Sequence, residues 1–288
     1  MTAEPAAPAA AGDHAVEHRC AVLGSPVAHS LSPVLHAAAY AELGLTGWLY
    51  GRAEVRGDGL AAFVDGLDAT WRGLSLTMPL KVAVLELPGL TVVSDAARLT
   101  GAGNTLLLGP GVREVHNTDV GGLVAAVRGM LPGPVRTVTV VGSGATARSS
   151  VASAAELGAA RVQVLARDRS KAEALRPLAE AVGVDLVALA WGTTPPAADL
   201  LVSTVTAGAV DDRADELADS AGVVFDVVYD PWPTALAAAA ARAGARVVDG
   251  LDLLVGQAVL QVGLMTGRRP SPGVLRAAGD AALAAAHV

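Results

Sequence analysis

Cysteine, aromatic residues and long apolar runs are all scarce in this chain of 288 residues. Its one cysteine, Cys20, cannot build a disulfide framework and fits a reducing compartment, here expected to be the cytoplasm. Set before Ala21-Val22-Leu23, it reads as a core or strand-edge thiol rather than a nucleophile. No window approaches the roughly 20 apolar residues that a membrane span requires, so no membrane partner is expected. Long basic runs are missing as well. Lys and Arg number 21 against 28 Asp and Glu, a net charge of −7, which argues against nucleic acid or an anionic membrane surface and leaves a small molecule as the expected partner. Residues 1–13 are rich in Ala and Pro but lack the basic start and apolar core of a secretory signal, and residues 1–17 are expected to form a disordered tail.

What is present is a large apolar content, 52%, over a length that suits two α/β domains with full cores. The most informative stretch is Thr137-Val138-Thr139-Val140-Val141, a β-branched run that stops at Gly142-Ser143-Gly144 and passes into Ala145-Thr146-Ala147. It reads as a buried parallel strand, a tight turn and a helix start. Gly142 lets the chain turn, Gly144 lets backbone approach a pyrophosphate, and the helix from about Ala145 aims its N–H groups at that anion. Gly142, Ser143, Gly144, Ala145 and Thr146 are therefore candidate dinucleotide-binding residues, with Ala147 in place of the usual third glycine. A purely structural strand–turn–helix shows the same pattern, so the neighbouring segments decide.

The next strand, 161–166, ends in Ala166-Arg167-Asp168-Arg169-Ser170-Lys171. An NAD site places a carboxylate at this corner for the ribose 2′-hydroxyl, whereas Arg167, aided by Arg169 and Lys171, suits a 2′-phosphate through bidentate guanidinium pairing. NADP(H) is the expected cofactor, and Asp168 keeps NAD open. Further strands at 200–204, 223–228 and 246–248 continue a parallel sheet whose C-terminal ends, carrying Thr204 and Gly250, should face the cofactor.

Nearer the N-terminus, Ser32 is placed to cap a helix with Pro33 at its first position, running to about residue 43 before Gly44. Ser30 and Ser32 stand at a strand end beside that helix N-terminus, which suits a carboxylate ligand; plain turn and cap roles are the alternative. After a strand at 73–77, Pro79 starts a helix with Lys81 in its first turn, where a cation opposes the helix dipole. A solvated surface lysine and a chemical role are both open. Ser94 caps a helical turn, a hairpin spans 106–116, and Asn117-Thr118-Asp119 precedes a helix at 123–130, leaving Asp119 near the junction of the halves as an N-cap or a functional carboxylate. In a helix at 253–266, Gln257 and Gln261 sit one turn apart among apolar residues, where a bound polyol would satisfy a buried amide.

Gly24-Ser25-Pro26 with His29-Ser30-Leu31-Ser32-Pro33 and His36, then Ser75-Leu76-Thr77-Met78-Pro79-Leu80-Lys81, Ala102-Gly103-Asn104-Thr105 and Asn117-Thr118-Asp119, resemble in this order the shikimate dehydrogenases, as does the segment 226–234. The likeness runs over nearly the whole chain after the tail. Ser75 departs from the Asn that many members carry, and Ala166 from the Asn-Arg corner of the NADP members. The resemblance implies an N-terminal α/β substrate domain over 18–118, a Rossmann-type NADP domain over 119–250, C-terminal helices over 251–288 returning to the first domain, and an active site in the cleft. It implies reversible reduction of 3-dehydroshikimate to shikimate with NADPH and no metal. Ser30 and Ser32 would hold the carboxylate; Thr77, Asn104 and Gln257 the ring hydroxyls; Tyr229 would lie near nicotinamide and substrate; Lys81 and Asp119 would do the acid–base work. Gln261 reads as a neighbouring structural residue. The alternatives are a relative acting on quinate or an amino-substituted shikimate, and a non-catalytic nucleotide sensor, against which the pair Lys81 and Asp119 speaks. A monomer or homodimer is expected.

Overall fold

The computed structural model describes residues 16–131 and 133–286; the expected tail, up to residue 15, lies outside them. Contacts divide the chain into two compact units, one made of the residues up to Thr118 with those from Gln257 on, the other of Asp119–Gly256. Among the described residues no helix is long and apolar enough to cross a membrane.

The first unit is built on a six-stranded sheet. Its strands are β1 (His18–Gly24), β2 (Trp48–Glu54), β3 (Trp71–Leu76), β4 (Val92–Val93), β5 (Thr105–Gly109) and β6 (Val112–His116), in the order β2-β1-β3-β5-β6-β4. β1 runs parallel to both β2 and β3, while β5 and β6 form an antiparallel hairpin that joins through β5 to β3. Helices α1 (Ser32–Leu43), α2 (Leu60–Asp65), α3 (Leu80–Ala83) and α4 (Asp95–Thr100) connect them. One sheet face buries Ala21, Leu23, Leu74, Leu76 and Leu106 against Leu60, Val64, Leu80 and Val84. The last helix, Pro272–Ala286, packs on α1.

One cap shifts and one holds. Helix α1 begins at Ser32 itself, because Leu31 already has near-helical dihedrals (φ −82°, ψ −6°) and takes the cap position without a side-chain bond. The capping oxygen is Ser30 Oγ, which accepts from the Ser32 N–H at 3.3 Å. Ser94 does cap as expected, its hydroxyl accepting from the Ala97 N–H at 3.3 Å.

The second unit carries helices α5 (Asp119–Arg128), α6 (Ala145–Glu156), α7 (Arg169–Glu173), α8 (Arg176–Ala181), α9 (Ala214–Asp219) and α10 (Ala235–Arg242) around strands β7 (Thr137–Val141), β8 (Arg161–Ala166), β9 (Asp185–Ala190), β10 (Ala198–Ser203), β11 (Ala221–Asp226) and β12 (Arg246–Val248). The order is β12-β11-β10-β7-β8-β9 and every pairing is parallel. This is the doubly wound Rossmann arrangement, with the reversal of strand order between β7 and β10. Alternation decides the two cores: Val138, Val140, Val162 and Val164 face α5, α6 and α8, whereas Val141, Leu165, Leu201 and Val224 face α9 and α10. Both faces are covered, so β7 reads as a near-continuous apolar run.

Helix α5 starts four residues earlier than its apolar pattern suggests, with Asp119 as its first residue rather than a cap ahead of it. Gly121 and Gly122 argue locally against helix, but a Cβ on Gly256 would stand 2.7 Å from the Gly122 carbonyl oxygen. The two backbones pass too closely there for a side chain on Gly256.

Candidate functional site

In the first unit the expected substrate residues gather at one edge of the sheet. Ser30 and Ser32 follow the C-terminal end of β1, Thr77 follows that of β3, and the antiparallel register of β5 brings Asn104 to the same edge. The backbone knits them together: Thr77 N–H donates to the Leu23 carbonyl at 2.9 Å, Leu76 N–H to the Asn104 carbonyl at 2.8 Å, Leu80 N–H to the Thr77 carbonyl at 2.8 Å, and Gly103 N–H to the Lys81 carbonyl at 2.7 Å. Lys81, half-buried, thus has its backbone pinned one residue from Asn104.

Asn104 is 1% exposed, and its carboxamide is closely engaged. Oδ1 accepts from the Thr118 N–H at 2.8 Å, the Thr118 hydroxyl at 3.0 Å and the Thr105 hydroxyl at 3.0 Å, and Nδ2 donates to Gln257 Oε1 at 2.8 Å. Asn104 and Gln257, 153 positions apart, are therefore direct neighbours. Gln261 is structural: its Oε1 accepts from Ser75 Oγ at 2.8 Å, and its Nε2 donates to the Asn104 carbonyl at 3.2 Å and Thr105 Oγ1 at 3.1 Å. Tyr50 donates to Ser75 at 2.6 Å and stacks on His36 with ring centroids 3.7 Å apart, while the Ser32 carbonyl lies 2.9 Å from His36 Nδ1. This buried chain runs from the Ser32 end of the cluster to the Asn104 end. Burial pushes His36 down to about 4 and the Tyr50 phenol upward, so both stay neutral. Burial also pushes the Cys20 thiol up to about 12, which leaves it an inert core group.

In the second unit a cleft of about 290 Å³ opens at the C-terminal ends of the parallel strands, lined by Gly142, Ser143, Gly144, Arg167, Lys171 and Thr204 among others. Gly142 has φ +118°, and a Cβ there would fall 2.3 Å from Thr204 Oγ1. Thr204 is itself fixed, its hydroxyl and N–H both donating to the Val141 carbonyl at 2.8 Å. The glycine therefore lets the β7 turn and the end of β10 meet at the reversal of strand order, where this fold holds a dinucleotide. Ala145 and Thr146 open α6 behind Gly144, and Ala147 is fully buried, where a small residue lets helix and sheet approach. Arg167, just after β8, and Lys171, in α7, are exposed cations in the cleft lining. Asp168 caps α7, its Oδ1 accepting from the Ser170 N–H at 2.9 Å and hydroxyl at 2.6 Å, and those bonds hold its carboxyl below the usual range. That is a structural use for the one acid at this corner.

Asp119 is buried at the start of α5. Tyr229 follows β11 in a segment held by Asp226, whose carboxylate accepts from the Val228 N–H at 3.3 Å and the Thr234 hydroxyl at 2.8 Å. Burial pushes the Tyr229 phenol upward, so it is a neutral hydroxyl at ordinary pH. Gly250 lies outside the cleft lining, with its N–H donating to the Val228 carbonyl at 3.1 Å.

The model of the shikimate dehydrogenase substrate binding domain matches residues 22–106. The shikimate dehydrogenase (NADP(+)) of Methylobacterium radiotolerans is 40% identical over 269 residues, covering 88% of this chain and 92% of the relative. This chain belongs to the shikimate dehydrogenase family. Among solved structures, the shikimate dehydrogenase of Mycobacterium tuberculosis superposes with a TM-score of 0.85 at 40% identity, over 92% of this chain and 99% of that one. The shikimate 5-dehydrogenase of Thermus thermophilus, solved in complex with NADP(H) and shikimate, gives 0.81 at 33% identity with the same coverage.

Within this member of the shikimate dehydrogenases, local pattern left Tyr50 unmarked, and Ser75 and His36 were visible only as parts of the segments that carry the family resemblance, with no supporting role legible for either. Trp191 and Arg213 of the nucleotide unit likewise have no sequence signal.

Proposed function

We propose that this family member is an NADP-dependent shikimate dehydrogenase, interconverting 3-dehydroshikimate and shikimate, with its substrate contacts in 18–118 and 251–288 and its nucleotide contacts in 119–250. The observation that carries the activity is a likeness of 40% identity running through both units, to a relative named for that reaction. The cleft fits a dinucleotide: a turn in which only glycine clears Thr204, open backbone at Gly144, and Arg167 with Lys171 where a 2′-phosphate needs cations. Gly142, Ser143, Gly144, Ala145, Thr146, Arg167, Thr204 and Gly250 are assigned to NADP(H). When bound, it supplies or removes the hydride.

The protein orients the ring and moves the proton. Ser30 and Ser32, at the N-terminal turn of α1, suit the carboxylate; Thr77, Asn104 and Gln257 suit ring hydroxyls, the last two already sharing a hydrogen bond that a hydroxyl can join. Tyr229 supplies a neutral hydroxyl toward nicotinamide and substrate. As the ketone carbon is reduced its oxygen gains charge, and an ammonium on Lys81 can stabilise and protonate it. Asp119 is assigned to hold that ammonium charged and oriented. A cytoplasmic monomer or homodimer completes the reading.

The test is absorbance at the reduced-nicotinamide band with shikimate and NADP⁺, repeated with NAD⁺ and with quinate. Fastest turnover with shikimate and NADP⁺ is expected. Faster turnover with quinate assigns the neighbouring specificity, and no turnover with any pair removes the enzymatic reading.

A further inference from the structure

Trp191 follows β9, and its half-buried ring belongs to the same cleft lining as Arg167 and Lys171, where it is the aromatic side chain. The loop that carries it is fastened to one buried cation. Arg213, 9% exposed, donates through Nη1 to the Trp191 carbonyl and through Nη2 to the Thr193 carbonyl at 2.9 Å. Its Nε and Nη2 hold the two oxygens of Glu216 at 3.0 and 2.9 Å, and its guanidinium carbon lies 5.5 Å from the centre of the Trp191 ring. The Arg213 fork, with a further bond from Thr194, holds the Glu216 carboxyl below its ordinary range. A buried guanidinium is tolerated only when its donors are satisfied, and this one is shared between the Glu216 carboxylate, which balances its charge, and two carbonyls of the Trp191 loop.

We propose that Trp191 is the wall on which the adenine ring of the dinucleotide stacks, and that Arg213 is a positioning residue that sets this wall. The inference rests on the NADP(H) reading. The 2′-phosphate assigned to Arg167 sits on the adenosine ribose, so adenine is the next group along the ligand. The rest of the lining is glycines, small hydroxyl residues, Ala166, Ala209, Val205, Asp168 and the two cations; the Arg167 plane can cover one face of a base, and Trp191 is the one aromatic ring available to the other. An indole face serves there whatever polar edges the base presents.

The experiment titrates the full chain with adenosine 2′,5′-bisphosphate, which carries adenine and the 2′-phosphate but no nicotinamide, and with nicotinamide mononucleotide, which carries neither. Binding is read by calorimetry and by tryptophan emission. The unaltered chain should show quenching with the bisphosphate. Trp191→Ala should weaken the bisphosphate by about 5- to 150-fold and leave nicotinamide mononucleotide unchanged. Trp191→Phe, which keeps an aromatic face and guards against a misfolded Ala variant, should bind nearly normally while the quenching disappears. Arg213→Lys should raise KM for NADP⁺ with kcat and KM for shikimate unchanged. Normal bisphosphate binding by a folded Trp191→Ala, quenching that persists in Trp191→Phe, or equal losses for both ligands would overturn the stacking assignment. An unaltered chain that binds neither the bisphosphate nor NADP⁺ would overturn the cofactor reading beneath it.

Discussion

Replacing Gly142 by Ala puts two separate costs on one methyl group. The residue sits at φ +118°, beyond the left-handed helical well, where a side chain strains the backbone by about 1–3 kcal/mol. The new Cβ would also lie 2.3 Å from Thr204 Oγ1, so Thr204 must leave its 2.8 Å bond to the Val141 carbonyl, a further loss of about 0.5–1.5 kcal/mol. Together they come to about 2–4 kcal/mol. If the turn keeps its shape, the cost falls on folding of the nucleotide unit and lowers its Tm by on the order of 5–15 °C. If the turn moves instead, the cost falls on the nucleotide and weakens NADP⁺ by about 30- to 1,000-fold. Differential scanning calorimetry and an NADP⁺ titration on the same preparation read both routes, and KM for shikimate at saturating NADP⁺ should be unchanged. Adding Thr204→Ala removes the collision but leaves the strained dihedral and itself forfeits the hydroxyl bond to the Val141 carbonyl, so the double variant should stay well below the unaltered chain. A Gly142→Ala chain with normal Tm and normal NADP⁺ affinity would refute this reasoning, as would full recovery in the double variant.

Arg167→Ala should raise KM for NADP⁺ by about 10- to 150-fold, the loss of one charge-assisted contact, and change KM for NAD⁺ far less; equal losses would show that Arg167 does not read the phosphate. Lys81→Ala and Asp119→Ala should each lower kcat by on the order of 10²- to 10⁴-fold in a folded chain that still binds NADP⁺, with the double variant losing less than the product. Near-normal kcat in Lys81→Ala with weakened substrate binding would make Lys81 a positioning residue. His36 gives a pH dependence of stability: its value falls from 6.5 to about 4 on burial, so the unfolded chain takes up a proton that the folded chain refuses. The stabilisation is present above pH 6.5 and is lost as pH falls toward 4, by about 3 kcal/mol, a slope that urea midpoints should show and His36→Phe should flatten. Parallel curves for the two chains would sink the assignment.

The sequence alone determined the features that rest on local chemistry. The β-branched run 137–141 ending at Gly142, the Ser94 cap, the hairpin turn at 109–111 and the basic corner after Ala166 each follow from dihedral preference, side-chain period or charge within a few residues. What was decided by tertiary structure is where those pieces meet. β4 is two residues long, too short to show a period, and exists because β6 pairs with it. Helix α5 runs through Gly121 and Gly122 against local preference, and at Gly122 its backbone meets that of Gly256 too closely for a Cβ on Gly256. Gln261 could be read as polar and buried, but its partners Ser75, Asn104 and Thr105 come from β3 and the start of β5, the first of them 186 positions away. Arg213 finds Trp191 across 22 positions of loop and strand. Such pairs leave no mark on local pattern, because the free energy that selects them comes from satisfying buried polar groups at contacts that exist only after the sheets have formed.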